Sequence, residues 1–298
     1  MVADVSVVFE TENEQPNHRI RLTDVMAAWL RQTARSRVAE WIVVSTREAS
    51  PEEEVLLGKA PARWIRRPEE RYYNLKNQGI LQARGRFVAL ADADAVPADD
   101  WLERALGVLE NASPDVALVT GRSRFQAGPF CREMAIAQLP NQEDRPQETT
   151  HFLAHNVLLR PSVVGPLLFS GGTIRLGPDT HLAGRLLKAG YRLLYDPSLL
   201  VVHNYARRST EIYRHCLVIG YAFESFRQSS GEPGAGLVWD FFGRIRLLMA
   251  RWQTLRGPLG MSLWRFPLSL IFFVFYSTAL AHGIAMARQG KPEPFALW

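Results

Sequence analysis

Residues 86–102 read RFVALADADAVPADDWL, and the reading of this stretch decides the fold. The apolar run RFVALAD (86–92) predicts a buried strand, and the carboxylates begin where that strand stops. In extended chain, residues i and i+2 face the same side, so Asp92 and Asp94 converge on one point. Two like charges held together are costly unless a cation or partner compensates them. Strand C-terminal ends are where open α/β sheets bind ligands. A D-x-D spacing taken alone is common by chance, and the bland alternative is a solvated loop with helix caps. Such a loop accounts for Asp99 and Asp100, as caps and the start of a helix, better than for Asp92.

Working outward, short apolar runs alternate with helical stretches. VSVVF (5–9), WIVVS (41–45), RWIRR (63–67) and PDVALVTGRSRF (114–125) predict strands. Helices are predicted over 22–32, with Thr23 or Asp24 near its start, over 50–57 with Ser50 as N-cap, and over 74–85, stopped by Gly85. This alternation implies a mostly parallel α/β sheet flanked by helices. QLPNQEDRPQETT (138–150) is polar and reads as a mobile surface loop. HNVLLRPSVV (155–164) is strand-like, 179–191 predicts a helix stopped at Gly190, and 191–205 holds two apolar runs around Asp196-Pro197.

The character changes after about residue 205. Residues 206–298 form a predicted helical region with a flexible break at SSGEPGAG (229–236). GLVWDFFGRIRLLMARWQTLRG (236–257) interleaves aromatics with Arg244, Arg246, Arg251 and Arg256. Residues 266–287 then run without a formal charge. As a helix they would extend ~33 Å, enough to cross a ~30 Å hydrocarbon layer. Pro267, His282 and Gly283 also suit a helix lying within one leaflet, and a buried helix is the bland alternative.

The chain has 47% hydrophobic and 22% charged residues, so a core is available and wholesale disorder is excluded. Its net charge of +5 suits a phosphate-bearing partner: a nucleotide, an anionic membrane or nucleic acid. Cys131 and Cys216 lie far apart, which argues against a disulfide framework and a thiolate zinc site. The N-terminus lacks the pattern of a secretory signal, so the bulk of the chain is expected in the cytosol.

Three stretches in order, VSVVFETEN, NQGILQARGRFVALADADAVPADDWL and GGTIRLGPDTHLAGRLLKAGYRLLYDPSLLVVHNY, spread over residues 5–205, carry a family resemblance. The chain resembles the inverting, nucleotide-sugar-dependent glycosyltransferases of family 2, with the GT-A fold. The resemblance implies a Rossmann-like GT-A domain over 1–205, a nucleotide-diphosphate sugar donor, and Mn²⁺ or Mg²⁺. Asp92 and Asp94 match its D-x-D, holding the metal against the diphosphate. Asn77 and Gly79 match an N-x-G lining the nucleotide site, and Asp179 matches the general base. Taken alone, Asp179 would be an ordinary helix N-cap. His203 matches a histidine that reaches the metal or diphosphate, and Arg207 and Arg208 could pair with diphosphate or anionic lipid.

Three departures stand out. FETEN replaces a PTYN-like signature, so Thr11 and Glu12 occupy the base-binding neighbourhood; Ser45 and Thr46 replace acidic residues after the second strand; Pro178 replaces a glutamate before Asp179. Donor identity therefore stays open among uracil, guanine and thymine nucleotides. The Q-x-x-R-W motif of processive synthases is absent, which favours transfer of a single sugar. Together these features imply a membrane-associated transferase on the cytoplasmic face of the membrane, acting on a lipid-linked or envelope-glycan acceptor, with no nucleic-acid partner. The alternatives are a sugar nucleotidyltransferase, disfavoured by the lack of glycine in ETENEQPNHRIR, and a degenerate GT-A scaffold.

Overall fold

The computed structural model describes residues 3–12, 19–170, 177–204, 208–229, 236–292 and 294. They fall into two compact units. The first holds a nine-stranded sheet. Its parallel half comprises β1 (Val5–Glu10), β2 (Val38–Ser45), β3 (Ala62–Arg66) and β4 (Phe87–Asp92), in the order β3-β2-β1-β4. Helices α1 (Leu22–Leu30), α2 (Pro51–Leu57) and α3 (Tyr72–Gln82) make the crossovers. β1 and β4 are buried along their whole length, as expected of strands covered on both faces.

Beyond β4 the sheet turns antiparallel. β8 (Val157–Leu159) runs against both β4 and β6 (Val116–Phe125), and β9 (Arg192–His203) pairs antiparallel with β5 (Ala95–Pro97) and β7 (Gln147–Thr149). The α/β fold expected from the sequence is present, with a mixed sheet. β9 is one continuous strand where two runs were predicted, and the apolar residues after β8 form a short helix, α6 (Pro161–Val164).

Period-two alternation sorts the strands between two cores. Val5, Val7 and Phe9 pack with Phe87, Ala89 and Ala91 on one face, beside α1 and α4 (Trp101–Asn111). Val8, Val88 and Leu90 pack on the other, beside α3 and α7 (Pro178–Lys188). The same alternation assigns Glu10 and Asp92 to the α3 face. α3 sits close on β1 because Gly79 has no side chain; a Cβ there would lie 2.1 Å from Val8 Cγ1.

Several local expectations are met and others corrected. Ser50 caps α2, accepting from Glu53 N at 3.3 Å while Glu53 accepts from Ser50 N at 2.6 Å. Asp24 caps α1 from inside its first turn, accepting from Arg21 N at 2.9 Å. Gly190 follows α7 with φ +85°. α3, by contrast, ends at Gln82 with Ala83 extended. Gly85 serves a close approach instead, since a Cβ there would lie 2.5 Å from Ser6 N. Asp100 precedes α4 but makes no side-chain cap; it pairs with Arg104 at 2.6 Å, and Asp99 pairs with Arg31 at 3.4 Å. The polar loop over 138–150 is tethered: Gln142, 1% exposed, donates to Ser123 O at 3.1 Å, and Arg122 pairs with Asp144 at 2.6 Å. These side-chain bonds to the protein are what composition does not reveal.

The second unit contains α5 (Cys131–Gln138), α8 (Ser209–Ser229), α9 (Leu237–Leu255) and α10 (Phe266–Arg288). α8 and α10 touch backbone to backbone: a Cβ on Gly283 would lie 1.9 Å from Leu217 O, and one on Gly220 2.1 Å from Leu280 O. Buried Glu133 binds Arg265 at 2.6 Å and Ser269 at 3.0 Å. α10 belongs to the one helix among the described residues that is long and apolar enough to cross a membrane, and half of its apolar window is buried within the protein. The break at 229–236 lies almost wholly outside the described residues.

Candidate active site

Strand order brings the acidic residues to one end of the sheet. Glu10 and Asp92 end neighbouring parallel strands in register. Asp92 is 1% exposed and both its oxygens are engaged from α3. The Tyr72 hydroxyl donates to Oδ2 at 2.6 Å, and the fully buried Lys76 ammonium contacts Oδ1. Tyr72 and Lys76 are one helical turn apart, so one face of α3 supplies both. Burial opposes the charge on Asp92, but Lys76, His155 and the Tyr72 hydrogen bond together outweigh it and hold the carboxyl below its ordinary range.

Asp94, two residues on, is 4% exposed, with Oδ1 3.4 Å from Nε2 of His203. Burial pushes its carboxyl up to about 6, Asp92 adding to the rise and His203 opposing it. Glu10 is fully buried; burial and then Asp92 raise it well above its usual range. Its Oε2 accepts from Glu12 N at 3.0 Å, and Oε1 has no hydrogen-bond partner among the described residues.

Two imidazoles complete this corner. β9 delivers His203, and the turn before β8 delivers His155, with ring centroids 4.6 Å apart. One nitrogen of each and one oxygen of Asp92 lie within 4.8 Å of one another. Desolvation, with His203 adding to it, pushes His155 down to about 3, so the ring is neutral and keeps a lone pair. The buried carboxyl groups of Glu10, Asp92 and Asp94 and two imidazoles thus gather beside one buried ammonium. This mixed oxygen–nitrogen donor set fits a divalent cation such as Mn²⁺ or Mg²⁺.

Asp179 stands in the first turn of α7. Its Oδ1 accepts from Thr180 N at 2.8 Å, and its carboxylate is hydrogen-bonded by the Tyr73 hydroxyl. Desolvation raises it to about 6, and these hydrogen bonds oppose the rise. The adjacent tyrosines of α3 therefore hold two different carboxylates, Tyr72 on Asp92 and Tyr73 on Asp179, with their rings 4.6 Å apart.

The remaining sequence-predicted residues that are described have local partners. Thr11 donates to Ser45 at 2.8 Å, joining the ends of β1 and β2. Ser45 also accepts from Arg47 N at 3.1 Å. The Glu12 carboxylate caps α3, accepting from Tyr72 N, and lies 3.6 Å from Arg71. The Asn77 amide brackets Phe169, donating to its carbonyl at 3.0 Å and accepting from its N–H at 2.9 Å. Gly79 permits the α3–β1 contact. Arg207 lies outside the described residues.

The model for "Glycosyl transferase family 2" matches residues 13–165. The chain belongs to that family. Among curated relatives, this family 2 chain is 29% identical over 142 residues to the pre-mycofactocin glycosyltransferase of Mycobacterium tuberculosis, in strains CDC 1551 / Oshkosh and ATCC 25618 / H37Rv. The match covers 44% of this chain and 29% of the length of those relatives. Among solved structures it is similar to a mannosyltransferase, PcManGT from Pyrobaculum calidifontis, in complex with GDP-Man and Mn²⁺. That likeness has a TM-score of 0.64 and 17% identity over 98% of this chain and 89% of the other. It is also similar to GalNAc-T7 with UDP, GalNAc and Mn²⁺, with a TM-score of 0.56 and 14% identity over 91% of this chain and 57% of that one. Likeness at such identity establishes the GT-A fold of the family 2 chain.

Glu10, Tyr72, Tyr73, Lys76 and His155 do not stand out in the sequence. The i, i+4 spacing of Tyr72 and Lys76 on a helix preceding the D-x-D strand is a usable signal. His155 offers none, because its position depends on antiparallel pairing across β4, β8 and β6.

Proposed function

We propose that the chain is a metal-dependent, inverting glycosyltransferase that moves a single sugar from a nucleotide-diphosphate donor to an acceptor hydroxyl. The observation that carries this reading is the pairing of two carboxylate environments through α3. Asp92, with Asp94 and the histidines, suits a cation, while Asp179 is a raised, singly placed carboxyl suited to a proton. Asp179 accepts the proton of the acceptor hydroxyl as its oxygen bonds to the anomeric carbon and the bond from that carbon to the diphosphate breaks. Attack opposite the leaving group inverts the centre. A bound divalent ion would be held by Asp92, Asp94 and His203, and would neutralise charge on the departing diphosphate. Lys76 keeps Asp92 ionised and in place, and Thr11, Glu12 and Ser45 line the nucleotide end. The nucleotide and Mn²⁺ bound by both structural neighbours support this reading.

A ligand that binds only the native state raises its melting temperature. GDP, UDP and dTDP are therefore screened with Mn²⁺ by thermal unfolding. At least one gives an upward shift that EDTA removes; no shift with any at millimolar concentration would favour a scaffold instead.

The acceptor is proposed to be lipid-linked or an envelope glycan, met at the cytoplasmic membrane face. In the second unit Trp239, Phe242 and Leu247 are exposed on α9, and Trp264, Leu268 and Ile271 on and just before α10. Arg246 shares the exposed side of α9. The opposite face of α10, with Phe273, Tyr276 and Leu280, is buried, which supports a helix lying in the interface. The protein should sediment with anionic liposomes, and Trp264→Asp should reduce this; recovery entirely in the supernatant contradicts the membrane seat.

A further inference from the structure

Beyond the D-x-D pair and His203, the site contains a histidine that no sequence motif marks. His155 and His203 stand ring against ring at 4.6 Å, each presenting a nitrogen within 4.8 Å of an Asp92 oxygen. Each ring is also anchored on its other side. His203 Nδ1 lies 2.9 Å from the Asn204 carbonyl, which can only accept, so in the neutral ring that nitrogen carries the proton and the lone pair falls on Nε2, the atom 3.4 Å from Asp94. His155 Nε2 lies 2.9 Å from Ser123 Oγ, leaving Nδ1 as the second nitrogen available to a ligand. Ser123 is itself fully buried and fixed by Asn156 Nδ2 at 3.3 Å. Metal-bound histidines characteristically have the remaining ring nitrogen held in this way by a second partner.

We propose that His155 is a further protein ligand of the metal, so that the site offers two imidazoles and the Asp92 carboxylate and selects Mn²⁺ over Mg²⁺. Lys76 and Tyr72 each take one direction on the Asp92 oxygens; an ionised carboxylate has about four lone-pair sites, so acceptor capacity remains for a cation. Imidazole nitrogen suits Mn²⁺ better than the harder, oxygen-demanding Mg²⁺. The inference rests on the metal-dependent transferase reading and specifies its ion.

The test is Mn²⁺ binding to the purified full chain, read by electron paramagnetic resonance without turnover. Pulsed spectra of wild-type protein with Mn²⁺ alone should show two coordinated imidazole nitrogens. His155→Ala should show one, and should bind Mn²⁺ about 10–100-fold more weakly, the scale on which such sites respond to lost support. Its Mg²⁺ affinity should fall less. A single imidazole nitrogen in the wild type overturns the inference whether or not the variant folds, and so does unchanged Mn²⁺ affinity in folded His155→Ala. Either result leaves the transferase reading standing, whereas failure of every nucleoside diphosphate to bind removes that reading and leaves the nitrogen count as measured.

Discussion

Asp179→Asn is expected to lower transfer by about 10²–10⁴-fold, the usual worth of a positioned general base, while donor binding persists. The asparagine retains an oxygen for the Thr180 N–H and the Tyr73 hydroxyl, so the geometry of α7 and α3 should hold. What it cannot do is take up a proton. The wild-type carboxyl titrates near 6 and acts as a base only when ionised, so the rate should fall as pH drops through about 6. Tyr73→Phe removes a hydrogen bond that favours the ionised form and should move this acid limb upward. The effect on stability has the opposite sense. A carboxyl raised from 3.8 to about 6 by folding binds its proton more tightly in the folded state. The stability it contributes is complete below 3.8, is lost as pH rises through about 6, and is absent above that. Asparagine carries no such dependence, so the variant should melt no lower than wild type at pH 8. Loss of turnover with retained melting temperature is the expected pair of results.

The second large effect concerns Asp92 and Lys76. Asp92→Ala leaves the Lys76 ammonium, fully buried beside the Tyr72 ring at 4.8 Å, without its carboxylate. Removing one partner of a buried ion pair costs about 3–5 kcal/mol, a large part of the ~5–15 kcal/mol that holds a domain folded. The double variant Asp92→Ala/Lys76→Met removes the pair together and should recover much of that loss, because an apolar replacement of a buried pair is often neutral. Neither variant should recover transfer. Chemical denaturation reads the stability and product formation reads the function. Equal stability of the single and double variants would show that Lys76 does not depend on Asp92.

The parallel half of the fold is legible because β1, β2 and β4 are compact apolar runs and helical periods separate β1, β2, β3 and β4. Asp92 and Asp94 are legible because they end such a run. Asp179 is legible only through resemblance, since an aspartate in the first turn of a helix is otherwise an ordinary cap. The direction of the antiparallel half is not legible: the apolar residues of β6, β8 and β9 look alike in either direction, and Pro197 interrupts the β9 pattern without interrupting the strand. His155 depends on that half and is hidden with it. Resemblance alone marks Asn77 and Gly79 as nucleotide-site residues; the work the structure shows at both is mechanical, bracketing Phe169 and seating α3 on β1. Lys76 passes for a surface residue of a polar helix, because α3 has little apolar patterning to reveal which side is buried.

The most direct test is release of nucleoside diphosphate from GDP-, UDP- and dTDP-sugars, with Mn²⁺ and a simple sugar alcohol or water as acceptor. Wild type, Asp94→Ala and Asp179→Asn are compared. The account predicts release by the wild type from at least one donor, dependent on Mn²⁺ and lost in both variants. Release at the wild-type rate by both variants, or no release from any donor, would contradict it.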